Sequence, residues 1–395
     1  MYSIFDAGEI VLYVFWIGLL GLAACFWIAA AFVLTQGVPS IPSLKDVVAA
    51  PDANCPAISV LFAGRDEAEK LPAALQTMLS LDYPNYEVIS IDDRSTDATP
   101  AALAAAARKS SRLKCMRIDV LPSGWLGKPH ALQQAYEHST GEWLVFTDAD
   151  VHFAPDVLRR AITLANEKKW DHLTLLCSVK MLTFGEKVVM TFFGMAFMIG
   201  TRPWEASNTR SAGYSGVGAF QMIRRSAYER LGTHRRLAME VVDDMKLGKL
   251  AKEAGARSGV AKAGDRVTVH WHAGLGNTIR GTEKNFFAAT GFKLWRAVAQ
   301  IGIVLFLCVL PVVALPFVHG WARLLAGTAT ALAMLATAVV ALELNTQVLY
   351  ALTFPLGGLV FAWMIARSTI ATLARRGIIW RGTFYPLSAL RKGVV

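Results

Sequence analysis

The chain has 395 residues, an apolar fraction of 54%, a mean hydropathy of +0.39 and a formal charge of +10. This is too apolar for an ordinary water-soluble enzyme, and the excess sits at the two ends of a normally charged middle, which predicts a membrane protein with a water-facing domain. There is no zinc-finger spacing, RNA-binding aromatic signature or basic low-complexity tail, so the positive charge points to anionic lipid and substrate phosphate and not to nucleic acid.

Residues 10–35 form a nearly uncharged apolar run, longer than the ~20 residues that span a bilayer. Asp6 and Glu9 precede it with no Lys or Arg, so it reads as a retained anchor and not as a cleaved signal peptide, with its acidic start outside and the following chain in the cytosol. A proline-rich linker without periodicity covers 37–56. From residue 57 the pattern alternates. Strands are predicted at 57–63, 86–91, 113–118 and 142–147, and helices at 67–81, 97–109 and 128–138. Strands separated by such helices imply an α/β domain with a mostly parallel sheet and right-handed crossovers.

Segment 186–204 is rich in Met and Phe, short and close to charges, which favours a helix lying in the membrane interface over a core helix. Helices are also predicted at 243–254 and 277–289. Apolar segments at 297–318, 321–342 and 347–366 follow, and then a basic tail that the positive-inside rule keeps cytosolic. One anchor plus three full spans would place that tail outside. Pro311 and Pro316 would restore an even count if they made the first of the three re-entrant or interfacial. The predicted organisation is an anchor at 1–36, a linker at 37–56, a cytosolic domain at 57–272, an interfacial helical region at 273–296, membrane segments at 297–366 and a cytosolic tail at 367–395. It fits a bacterial-type inner membrane. The five cysteines (Cys25, Cys55, Cys115, Cys177, Cys308) are scattered and form no Cys-x-x-Cys, as expected of reduced structural thiols.

In open parallel sheets ligands bind beyond the carboxyl ends of strands. Asp92-Asp93 and Asp148-Ala149-Asp150 both lie at such ends. Compact oxygen donors suit a hard divalent ion that shares substrate phosphates, although surface turns and helix caps produce the same letters. Asp92, Ser95 and Asp97 equally suit a turn and helix cap. Lys128 lies in a Gly-Trp-x-Gly-Lys turn where backbone amides and an ammonium could meet phosphate. Arg280 and Lys284 are one turn apart and share a helical face directed at diphosphate or, alternatively, at anionic lipid. His270 and His272 share a strand face but do not close a metal site by themselves, and Trp204, Trp271 and Trp295 mark a membrane interface.

Together these motifs resemble the membrane-bound family 2 glycosyltransferases of nucleotide-diphospho-sugar transferase (GT-A) fold. Ala63-Gly64-Arg65-Asp66-Glu67 resembles the family's Ala-Arg-Asn-Glu, with Asp66 in place of Asn, and Asp92–Asp97 resembles its second signature. Gly124–Lys128 and Asp148-Ala149-Asp150 follow in order, and Val242–Gly248 resembles the Glu-Asp motif with Asp243 in place of Glu. Arg280–Asn285 and Trp380-Arg381-Gly382-Thr383-Phe384-Tyr385 resemble the lipid-acceptor subgroup of ceramide, hopanoid and carotenoid glycosyltransferases. The Gln-x-x-Arg-Trp of polymerising synthases is missing from the sequence.

The resemblance implies an inverting transferase that moves a sugar from a nucleotide donor, a UDP-sugar by expectation, to a hydroxyl or carboxyl of a membrane lipid. It places a Mg or Mn ion on Asp150, with Asp148 on the metal, ribose or sugar, and the catalytic base at Asp244. Arg65, Glu67, Asp93, Lys128, Asp148, Arg280 and Lys284 would bind the donor. The rival readings are a polymerising synthase and a catalytically silent lipid-binding or scaffold protein.

Overall fold

The computed structural model describes residues 7–395. Its first helix, α1 (Ala7–Ser40), carries Glu9 in its opening turn, while Asp6 lies outside the described residues. Ile10, Val11, Phe15, Leu22 and Phe32 stand more than half exposed along α1, an outside suited to lipid and not to water. The segment predicted as a linker is strapped down: Arg159 donates to Ala50 O at 2.7 Å and Leu44 is fully buried.

Two compact units follow from the contacts. One holds the sheet and comprises Ser40–Lys180, Thr201–Trp271 and Thr372–Val395. The other is helical and comprises residues 7–39, Met181–Gly200 and His272–Ala371. In the sheet unit, strands β1 (Ile58–Gly64), β2 (Tyr86–Asp93), β3 (Leu113–Ile118) and β4 (Trp143–Asp148) run parallel in the order β3-β2-β1-β4. Their connecting helices are α2 (Leu71–Leu79), α3 (Thr99–Ala107) and α4 (Gly127–Glu137). α2 and α3 start later than predicted because Pro72 and Pro100, which lack an N–H, fit only the first turn of a helix. Both faces of the sheet are buried. Val60, Phe62, Val88 and Val145 enter one core and Leu61, Ile89, Leu144 and Phe146 the other, which explains why these strands read as continuous apolar runs.

Beyond β4 the sheet becomes mixed. It continues β7-β6-β8-β5, with β5 (His152–Phe153), β6 (His172–Val179), β7 (Gln221–Arg224) and β8 (Ser258–Val269); β7 is antiparallel to both β4 and β6. Helix α5 (Val157–Glu167) precedes β6, and α7 (Arg225–Leu231) and α8 (Asp243–Glu253) follow β7. The parallel register sets Ala63 opposite Asp148 and Gly64 opposite Asp92, so three acid-bearing or glycine-bearing strand ends open side by side.

In the helical unit, α6 (Phe184–Thr201) corresponds to the expected interfacial segment. Among the described residues, five helical segments are long and apolar enough to cross a membrane: Gly8–Ser40, Phe184–Glu205, Leu294–Ala314, Gly320–Glu343 and Val348–Arg375. The α6 segment therefore meets the length that the sequence had argued against. The single helix expected at 277–289 is two, α9 (Leu275–Gly281) and α10 (Glu283–Ala289). At the junction the Thr282 hydroxyl bonds back to Thr278 O at 2.7 Å, and Gly281 leaves room for the His272 ring, which a Cβ there would meet at 2.3 Å. Arg280 and Lys284 thus sit on successive helices and not on one continuous face. α11 (Leu294–Val304) and α12 (Leu310–Ala314), with Pro311, are separated by a π turn at Leu305–Val309; α13 (Gly320–Glu343) and α14 (Phe354–Arg375) are continuous. After α14 the chain forms a hairpin of β9 (Gly377–Trp380) and β10 (Thr383–Pro386) and a short helix, α15 (Leu387–Lys392); all of these belong to the sheet unit.

Candidate active site

The loops after β1 and β2 are stitched together by their own side chains. Ser95 Oγ accepts from Asp66 N at 3.0 Å, Asp66 Oδ1 accepts from Thr96 N at 2.7 Å, and Asp97 accepts from Ala68 N and Thr99 N. Asp66 adopts φ 53°, a left-handed conformation that Asn and Asp tolerate best, so either residue serves at this position of the motif. Asp92 is buried, accepts from Ser95 N at 3.2 Å and pairs with Arg117 at 2.6 Å. Asp92, Ser95 and Asp97 therefore brace these loops, while the N-cap position of α3 itself falls on Ala98, without a side-chain cap. Arg65 donates to Thr383 Oγ1 at 3.0 Å.

Asp93 is buried at the end of β2 and is gripped through both oxygens by the Arg94 guanidinium, at 2.7 and 3.1 Å. Gly127 is required beside it: a Cβ there would lie 2.1 Å from Asp93 Oδ2. Gly127 N in turn donates to the Tyr385 hydroxyl at 3.2 Å.

Lys128 enters the acidic centre. Its ammonium lies 2.6 Å from Asp148 Oδ1 and 3.9 Å from Asp243 Oδ2. Burial opposes its charge, but Asp148, Asp243 and Asp244 outweigh that and hold it well above the usual lysine value. Its charge is thus spent on carboxylates. Asp150, on the loop after β4, pairs with Lys70 at 3.0 Å. Glu67 pairs with Arg381. Burial raises the Glu67 carboxyl above its ordinary value, Arg381 works against that, and Asp150 adds to it.

Asp244, in the first turn of α8, accepts from Gly218 N through Oδ2 at 3.0 Å, and its carbonyl accepts from Gln221 Nε2 at 3.0 Å. Gln221 is oriented by buried His172 (3.1 Å), which also meets Ser258 Oγ (3.2 Å). The loop Ser215-Gly216-Val217-Gly218 presses against these acids. A Cβ on Gly216 would lie 2.0 Å from Asp244 O, and one on Gly218 would lie 2.7 Å from Asp148 Oδ2 and 3.2 Å from Asp244 Oδ2. The two carboxylates therefore converge on the face of Gly218.

The donor chemistry fits a hard divalent ion, since Asp148 and Asp150 offer carboxylate oxygens at a strand end. Among the described residues no three His, Cys, Asp or Glu side chains form a ready cage, so water and substrate phosphate would complete the coordination, as Mg and Mn sites commonly allow. Sequence reasoning did not single out Lys70, Arg94, Gln221, His172 or the Gly216–Gly218 loop; only the paired glycines carried a local signal, of close backbone approach. Arg280 and Lys284 belong to the helical unit, where they bond Asn277 Oδ1 at 2.6 Å and Asn285 Oδ1 at 2.8 Å.

A mixed sheet with an Asp-x-Asp at the end of its fourth strand and two acids on a facing helix start defines a GT-A-type fold. It is shared with a mannosyltransferase from Pyrobaculum calidifontis solved with GDP-Man and Mn2+, at TM-score 0.51 and 17% identity over 90% of this chain and 98% of that one. Residues 59–232 match the model of glycosyl transferase family 2, and the chain carries a domain of that family. A beta-monoglucosyldiacylglycerol synthase of a Nostoc species is 32% identical over 169 residues, 40% of this chain and 36% of that protein. A 4,4'-diaponeurosporenoate glycosyltransferase of Staphylococcus haemolyticus is 23% identical over 193 residues, 49% of this chain and 50% of that protein. The match thus spans a third to a half of the length of these relatives.

Proposed function

We propose that the protein is a membrane-bound, inverting glycosyltransferase that moves one sugar from a nucleotide-sugar, a UDP-sugar, to a lipid acceptor at the cytosolic face. The observation that carries this is the convergence of Asp148 and Asp244 on Gly218, which sets a donor-side acid and an acceptor-side acid around one open backbone face. Relatives whose names describe glycolipid products support the acceptor class.

Asp244 takes the proton from the acceptor hydroxyl as its oxygen attacks the anomeric carbon. The bond from that carbon to the diphosphate breaks on the opposite side, and its electron pair leaves with the diphosphate. One displacement inverts the configuration. An acceptor carboxylate would need no base. Asp150 with Asp148 would hold a Mg or Mn ion, which when bound supplies charge neutralisation of the leaving diphosphate. Asp93 with Arg94 faces the nucleotide base, and Arg65 and Glu67 line the donor side. Lys128 keeps Asp148 and Asp243 from repelling each other.

The connectivity supports the membrane reading. β6 and β7 are hydrogen-bonded neighbours on either side of α6, so a single crossing by α6 would separate paired strands by a bilayer; it lies in the interface instead. The chain leaves the sheet unit after Trp271 and rejoins it at Thr372, so an even number of the C-terminal segments cross. The broken α11–α12 segment is the one that does not.

The test is the full chain in lipid vesicles with Mn or Mg and a panel of UDP- and GDP-sugars. Glycolipid formation is expected, and Asp244→Asn should abolish it while sparing donor binding. Retained turnover in that variant would show the base to lie elsewhere. Neither donor hydrolysis nor transfer by the wild type would end the enzyme proposal.

A further inference from the structure

A balanced charge cluster stands beside the donor site. Lys70 Nζ holds Asp150 Oδ2 at 3.0 Å, the Arg381 guanidinium holds Glu67, and Glu67 and Asp150 sense each other's charge. Arg381 is no loose surface side chain. It occupies the two-residue turn between β9 and β10, where Arg381 and Gly382 both take positive φ (48° and 74°), as a type I′ hairpin requires. A non-glycine residue is strained in that conformation, and the surrounding contacts must offset the strain. They do so from three sides: Arg65 Nη1 to Thr383 Oγ1 at 3.0 Å, Gly127 N to the Tyr385 hydroxyl at 3.2 Å, and Leu387 N to Arg376 O at 2.8 Å. Each of the first two anchors joins the hairpin to a loop of the donor site.

We propose that Lys70 and Arg381 are the cationic ligands of the donor's diphosphate, held on Asp150 and Glu67 until the donor arrives. This rests on the donor reading given above. A divalent cation on Asp150 would repel the ammonium that stands 3.0 Å from the same carboxylate, which favours passage of Lys70 to the diphosphate. Lys70 is the mobile partner, with its side chain 45% exposed on a flexible stem. Glu67 pulls the other way: as an anionic group approaches, the Arg381 fork exchanges one carboxylate for phosphate oxygens of matching geometry. With two positive charges brought by the cation and two negative charges by the diphosphate, the net charge of the cluster stays at zero.

Calorimetric binding of UDP, UMP, GDP and GMP to the solubilised full chain with Mn2+ tests this. Arg381→Ala and Lys70→Ala should each weaken the preferred nucleoside diphosphate about tenfold, the scale of one charge-assisted hydrogen bond, and the monophosphate less than twofold. Arg381→Lys should recover part of the loss. Glu67→Gln, which frees Arg381, should tighten diphosphate binding measured without metal. An unchanged diphosphate-to-monophosphate ratio in both alanine variants, or equal loss of both ligands, overturns the proposal while leaving the donor reading intact. A wild type that binds neither diphosphate overturns the donor reading itself.

Discussion

Gly218→Ala is the sharpest perturbation of the acidic centre. The added methyl would lie 2.7 Å from Asp148 Oδ2 and 3.2 Å from Asp244 Oδ2, inside the ~3.5 Å at which non-bonded heavy atoms rest comfortably. The carboxylates must therefore withdraw by about 0.5–1 Å, and a misplacement of that size at reacting groups costs on the order of 100-fold in rate, or ~2.7 kcal/mol. The fold itself should hardly notice. Gly218 is not among the glycines with positive φ, so alanine suits its backbone, and the lower entropy of the unfolded chain returns about 0.4–1 kcal/mol. Initial rates of glycolipid formation in vesicles, with the melting midpoint measured in parallel, give the readout. The expected result is a rate about 100-fold lower at a midpoint within a few degrees of wild type. A rate within threefold of wild type would refute the convergence of the two acids on the reacting centre.

Lys128→Met leaves Asp148 and Asp243 without their shared cation and should cost about 3 kcal/mol; adding Asp243→Asn should restore part of it, and equal melting midpoints for the single and double variants would count against the pairing. His172 gives an acid limit. Burial pushes its pKa down to about 4, against a partial lift from Gln221. The unfolded chain therefore binds the extra proton between pH 6.5 and 4: this stability is complete above 6.5 and is lost as pH falls, about 2 kcal/mol of it by pH 5. His234, pushed by burial and by Lys128 to about 3, acts in the same direction. Thermal melts at pH 7 and 5 should differ accordingly, and a midpoint independent of pH would refute it. Mass spectrometry of the lipid product should show a single added sugar; longer chains would point to a polymerising synthase.

The first four strands and the acids at the ends of β2 and β4 were legible in the sequence, because continuous apolar runs broken by helix-length segments have few other solutions. The far half of the sheet was not. β7 has four residues, and β8 carries Gly259, Gly264, Asp265 and Arg266 inside its span, so neither shows a clean period. The hairpin hid in a basic tail where Trp380–Tyr385 was legible as a family motif but not as a pair of strands. Its contacts with Arg65 and Glu67 span 318 and 314 residues, a separation across which no local pattern reports. The face shared by Arg280 and Lys284 failed for a different reason: Gly281 and Thr282 interrupt the helix between them, and periodicity alone treats both as ordinary turn members. The segment read at 186–204 lies within two residues of the 22-residue helical stretch Phe184–Glu205; it read as too short to span because of the charges at its ends, not because its bounds were missed.

That hairpin also sets an order of events during synthesis. The strand ends that carry Arg65, Glu67 and Asp93 leave the ribosome early, while the residues that close over them come after every apolar helix of the chain. Because residues emerge at about 5–20 per second, the proposed donor site waits tens of seconds for its last wall. A chain cut after Arg376 would carry all eight strands of the main sheet and still present Glu67 without Arg381 and Gly127 without Tyr385. Completion of the sheet unit thereby waits on synthesis of residues 272–371, and until the hairpin has followed them Glu67 and Gly127 stand without these partners.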